Sequence, residues 1–238
     1  MYDPDEMNEL QDVERLLDDA VDAIASGISA SGTKPGEIGP MQMADALHAL
    51  IQQFEEIDAK VIPAYDSDLG EQALMLAAEL ASWAEHLDLP DALADLERVS
   101  VGIALWIARQ DGEIGELEYV VNGFAASANI TASDETLREL YQAMKTVIEH
   151  VSPSVRMDAD RTNLYRPWRM LNINFAIVAT RTQDEELMHE AFDMLGRNIP
   201  QDAPGFFEEG LKQSEKSVYG PDVRRLMEEY FSRWAVRH

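Results

Sequence analysis

Cysteine is absent from this 238-residue chain. Disulfides, thiolate metal sites and cysteine nucleophiles are therefore excluded. Basic residues are scarce: 19 Lys and Arg stand against 45 Asp and Glu, a formal charge of −26. No apolar run approaches the roughly 18 residues that cross a membrane. The acidic start, Met1-Tyr2-Asp3-Pro4-Asp5-Glu6, lacks the basic and apolar regions of a signal peptide, so a cytoplasmic address is expected. A Gly-rich phosphate loop, a G-x-S-x-G elbow and an H-E-x-x-H pair are all missing, which leaves no ready-made catalytic signature.

The charge is divided unevenly. Residues 1–150 carry 7 Lys and Arg against 31 Asp and Glu, whereas residues 151–238 carry 12 against 14. Such a surface repels nucleic acid and anionic membrane and favours basic partners. The plain alternative is that the charge only keeps the protein in solution.

Apolar residues recur at three- and four-residue spacing along nearly the whole chain, the signature of amphipathic helices. The spacing predicts helices over 5–28, 41–61, 69–87, 90–109, 115–127, 133–151, 167–180, 184–197, 205–217 and 222–236. Pro90 and Pro167 suit the first turn of a helix, and Ser133 suits an N-cap. Residues 101–107 are apolar nearly all round, so that helix should lie deep in the core. The Gly- and Pro-bearing segment 29–40 reads as a linker. It divides an acidic helix, 1–28, from a helical body, 41–238.

The expected fold is all-α: about ten helices in antiparallel hairpins, stacked as an irregular α-α superhelix. Within residues 96–130, two helices meet at Asp111-Gly112, with Ser100 and Ala125 near their crossing. This unit resembles a tetratricopeptide repeat, although that family's Trp, Gly and Tyr are not recovered as a set and its closing Pro is missing. The resemblance covers 35 residues. It implies a helix-pair body with a concave protein-binding groove.

Two side-chain patterns carry possible chemistry. Between residues 156 and 181 lie five arginines against two aspartates. Arg161, Tyr165, Arg166, Trp168, Arg169 and Asn172 are candidate ligand- or partner-binding residues, because a guanidinium fork suits anions and stacks on aromatic rings. Alternatively, these arginines neutralise the acidic helices of the first half. The second pattern is Glu186 with His189, an oxygen and a nitrogen ligand on one helix face, echoed by Asp45 and His48. Solvent-facing pairs explain both motifs as simply, so no metal and no cofactor is expected.

The leading functional expectation is a helical protein–protein interaction scaffold. Its partner is a protein, basic or a second copy of the chain, and neither nucleic acid nor membrane. An acidic decoy of a basic partner and a carboxylate/His metal enzyme are the alternatives. Phe206 and Phe207 adjoin a turn, where two neighbouring rings cannot both face inward, so one should cover the core's end or present a contact.

Overall fold

A computed structural model of the chain describes residues 10–33, 39–62, 67–157, 163–214 and 219–235, and most of these are helical. Eleven helices follow one another among the described residues: α1 (Leu10–Ser31), α2 (Pro40–Asp58), α3 (Ser67–His86), α4 (Pro90–Arg109), α5 (Glu118–Ile130), α6 (Asp134–His150), α7 (Pro153–Arg156), α8 (Pro167–Thr182), α9 (Glu185–Asn198), α10 (Ala203–Ser214) and α11 (Pro221–Ala235). There is no strand among the described residues; a single parallel bridge joins Ile114 to Val151. The short α7 is the one helix that periodicity did not predict. Four residues are too few to display a 3.6-residue pattern.

Helix α4 is the hub. Every residue from Val99 to Ala108 is buried, because α1, α3, α5 and α6 all pack around it. Trp106 stacks on Phe54 of α2 with ring centroids 3.7 Å apart. Its Nε1 donates to Asp58 at 3.1 Å, so burying the indole leaves no donor unpaired. Helix α1 packs on its own chain: Leu10, Val13, Leu16, Leu17, Ala20 and Ile24 are buried, and its neighbours are α4 and α2.

Helix ends explain the short connections. Lys60, Asp88 and Asp111 take left-handed backbone angles after α2, α3 and α4. In each case the next amide reaches back five residues, as Gly112 N does to Ile107 O at 2.9 Å. This is the Schellman closure, here without glycine at the left-handed position. Ser133 caps α6, its hydroxyl accepting from Thr136 N.

In the C-terminal half α6 packs on α8 and α8 on α9, while α10 and α11 form a hairpin. That hairpin is fastened to α9 by aromatic rings. Phe192 of α9 lies 5.2 Å from both Phe207 of α10 and Tyr230 of α11, edge to face. A cleft separates the hairpin from α8.

Candidate functional site

The middle of the arginine segment forms the turn into α8 and the first turn of that helix, and the structure turns Arg166 and Arg169 there towards the turn before α10. Arg166 donates from Nη2 to Asp202 Oδ2 at 2.8 Å, and Arg169 donates from Nε to Asp202 Oδ1 at 2.7 Å. Asp202 belongs to the turn between α9 and α10, so both arginines pin α8 to that turn. Two cations thus share one carboxylate. Arg166 also donates to Asn163 O at 3.0 Å, and Arg169 donates from Nη1 to Leu164 O at 2.7 Å.

The other candidates diverge. Trp168 is buried, and its Nε1 has no partner among the described residues. Asn172 is buried too, donating to Trp168 O at 2.8 Å and accepting from Asn198 Nδ2 at 2.7 Å. Tyr165 is 82% exposed. It lines a hollow of about 320 Å³ between α5 and the start of α8, together with Asn163 and Asn174. Arg161 lies outside the described residues. Arg181 donates to the carbonyls of Ala128 and Thr131, closing the end of α5, and Arg156 donates to Glu149 O. Arg156, Arg169 and Arg181 therefore bind Asp202 and backbone carbonyls, and Arg166 shares Asp202 with Arg169.

A cleft of about 560 Å³ lies between α8 and the α10–α11 hairpin. Its α8 wall is the stripe Arg169, Ile173, Ile177 and Thr180, spaced four, four and three residues apart, so all four share one helix face. The hairpin contributes Phe206, Val223 and Met227. Ile177 is 43% exposed, unlike its buried neighbours Ala176 and Val178. Of the two adjacent phenylalanines, Phe207 is buried in the aromatic cluster and Phe206 lines the cleft.

Most polar groups lining the cleft are already satisfied within the chain. Thr180 donates to Ala176 O at 2.8 Å, Ser214 to Leu211 O at 2.7 Å, and Gln213 to Glu209 Oε1 at 2.6 Å. The exposed Ile177 had no distinguishing signal in the sequence, because it sits in an unbroken apolar run. The arginine partner Asp202 had none either, being one of 45 acidic residues.

The Glu186/His189 motif does not assemble a metal site. His189 Nδ1 lies 3.1 Å from Tyr230 Oη, and Tyr230 donates to Asp193 at 2.8 Å. Glu186 is exposed. His48 faces Asp18 at 2.9 Å and Ala44 O at 2.9 Å. No group of three or more His, Asp or Glu side chains converges among the described residues.

The acidic half stays acidic at its surface. Asp22, Asp45, Glu79 and Asp91 are exposed, and none forms an ion pair among the described residues. Three partly buried carboxyls of this half, those of Glu14, Asp95 and Glu97, resist ionisation. The Glu14 carboxyl is pushed up by burial and then by Glu55, and Glu97 by burial and then by Glu85. Asp95 is raised by burial and by Asp19, with Arg98 opposing. No helix among the described residues is long and apolar enough to cross a membrane. Comparison with protein-family models, with curated proteins and with solved structures finds no match to this chain.

Proposed function

We propose that this protein is a helical interaction scaffold whose acidic first half engages a basic protein partner. The observation that carries this reading is the uncompensated charge. Arg169 and Arg181 bind Asp202 and backbone carbonyls, and Arg224, Arg225 and Arg233 pair with carboxylates of the C-terminal half, so the exposed acidic groups on α1 to α4 keep their field in solvent. Burial, and after it repulsion from Glu55 and Glu85, raises the carboxyls of Glu14 and Glu97, and a cationic partner would relieve the repulsive part. Fields of this kind speed encounter with an oppositely charged surface and weaken with added salt. A protein whose basic face normally holds nucleic acid fits the same description.

The test uses affinity capture from the source cell's extract, comparing the full-length protein with a variant carrying Asp22→Asn, Asp45→Asn, Glu79→Gln and Asp91→Asn. All four side chains are exposed, so the variant should fold normally. The expected result is retention of basic proteins that elute at about 0.5 M salt and are depleted with the variant. Capture of acidic or neutral proteins alone, unaffected by salt and by the four changes, would rule the reading out.

A further inference from the structure

The hollow of about 320 Å³ between α5 and the start of α8 carries charge of one sign. Glu118 is the only charged side chain among the described residues that line it. That carboxylate is exposed, and no cation pairs with it among the described residues. Arg166 and Arg169 stand nearby at the start of α8, but both reach onto Asp202 in the turn before α10. The α8 wall of the hollow is Met170 and Asn174, each one residue on from Arg169 and Ile173 of the cleft wall, about 100° further round the helix.

The polar groups here differ from those of the cleft, because several are open. Asn174 is half-buried, and its side-chain amide has no partner among the described residues. Asn163 accepts from Tyr165 N at 2.8 Å through Oδ1, which leaves its Nδ2 open among the described residues. The Tyr165 ring is 82% exposed and meets no other ring among the described residues.

These groups select among ligands. An anion would meet a carboxylate with no cation beside it. A purely apolar group would strip water from the Asn174 amide and return no hydrogen bond. An ammonium could pair with Glu118, but it is a compact point charge with no flat face to lay on Tyr165. A guanidinium satisfies every group at once. Its plane stacks on the tyrosine ring, and its parallel N–H groups fork onto the carboxylate. Its remaining N–H groups suit the Asn174 carbonyl oxygen, while Asn163 Nδ2 can donate to a peptide carbonyl beside it. Arginine is also among the residues that most often anchor protein interfaces in such pockets.

We propose that this hollow seats an arginine side chain of the basic partner, its guanidinium held by the Tyr165 ring and the Glu118 carboxylate. The proposal rests on the reading of a basic partner given above and adds where that partner is gripped and by which side chain.

The probes are acetylated, amidated Gly-Arg-Gly and the same tripeptide with citrulline, lysine or glutamate at its centre. Each is titrated into the full-length protein while the side-chain amide resonances of Asn163 and Asn174 are followed by NMR. The arginine peptide should shift both amides saturably. Citrulline has the same shape without the charge and should bind about 10-fold more weakly. Lysine should also bind more weakly, and glutamate should not bind. Glu118→Gln and Tyr165→Ala should each weaken the arginine peptide. Both side chains are exposed, so the thermal midpoint should stay close to that of the parent. The proposal is overturned if the arginine peptide leaves both amides unmoved, if any of the other three peptides binds as tightly, or if both folded variants bind arginine normally. The four substitutions that test the acidic surface lie on α1 to α4, outside the hollow. Loss of arginine binding here with capture still sensitive to those four changes would sink the hollow alone. Arginine binding with capture indifferent to them would sink only the wider reading.

Discussion

Arg166 and Asp202 stand 36 residues apart in the chain and meet at 2.8 Å, with side chains only 7% and 12% exposed. Together with Arg169 they join the start of α8 to the turn that launches α10. A buried pair of this kind is not itself a large source of stability, because both ions lose hydration. Breaking it is another matter. Asp202→Ala should destabilise the protein by about 3–5 kcal/mol, since it removes the carboxylate that both Arg166 and Arg169 bind. Arg166→Met combined with Asp202→Leu should recover much of that loss. Urea unfolding of the single and double variants measures the difference; equal losses in both would refute the assignment.

Gly123 and Gly205 make opposite predictions for the same substitution. A Cβ on Gly123 would come within 2.7 Å of the Glu97 carbonyl oxygen, where α5 crosses α4. Backbone cannot step aside cheaply, so Gly123→Ala should cost about 1–3 kcal/mol despite alanine's better helix propensity. Gly205 sits in α10 with open space around its Cβ position, and Gly205→Ala should stabilise by about 0.5–1 kcal/mol. Thermal midpoints moving in opposite directions would bear out the packing of the two helices.

Stability should be greatest at mildly acidic pH. Glu14, Asp95 and Glu97 have carboxyls raised in the fold, in each case chiefly by burial. The folded state then binds protons more readily than the unfolded chain. Their favourable contribution is complete below the unfolded value and is lost as pH rises through the folded one. Asp184 and Glu190 act the other way. Hydrogen bonds from Arg138 and Lys145 lower their carboxyls, so their contribution holds above the ordinary carboxylate value and fades as pH falls through the depressed one. The melting temperature should rise from pH 7.5 towards about 5 and fall below about 4. A monotonic decline from pH 7.5 downward would contradict this balance.

Arg181 holds the end of α5 through two carbonyls, those of Ala128 and Thr131. Arg181→Ala should cost about 1.5–3 kcal/mol and speed amide exchange around 128–134. Arg181→Lys should restore only part of it, because a single ammonium lacks the fork that reaches both oxygens. Exchange rates unchanged at the end of α5 would show that the helix terminus does not depend on this side chain.

The helices were legible in the residues for a local reason. Pro90 and Pro167 each open a helix, as their fixed φ and missing amide proton require. The continuous apolar stretch 101–107 proved to be the most deeply buried turn pair in the hub. The candidate surfaces were less legible. Tyr165, Arg166 and Trp168 are near neighbours in sequence, yet one is exposed, one grips Asp202 and one is buried. The turn at 163–166 and the first turn of α8 send adjacent side chains in different directions, which composition does not encode. The linker expected at 29–40 overlaps residues 34–38, outside the described segments, but α1 on its near side packs against α4.

Local rules, read along one dimension, were enough for the helical class, most helix ends and the division of charge between the halves. Hydrogen bonding and apolar periodicity act within a few residues, so each stretch carries its own instructions. The cleft, the exposure of Ile177 and the choice of Asp202 among so many carboxylates came only from the packed chain. They depend on which distant helix arrives at each face, and that is settled by the joint burial of all the apolar stripes at once.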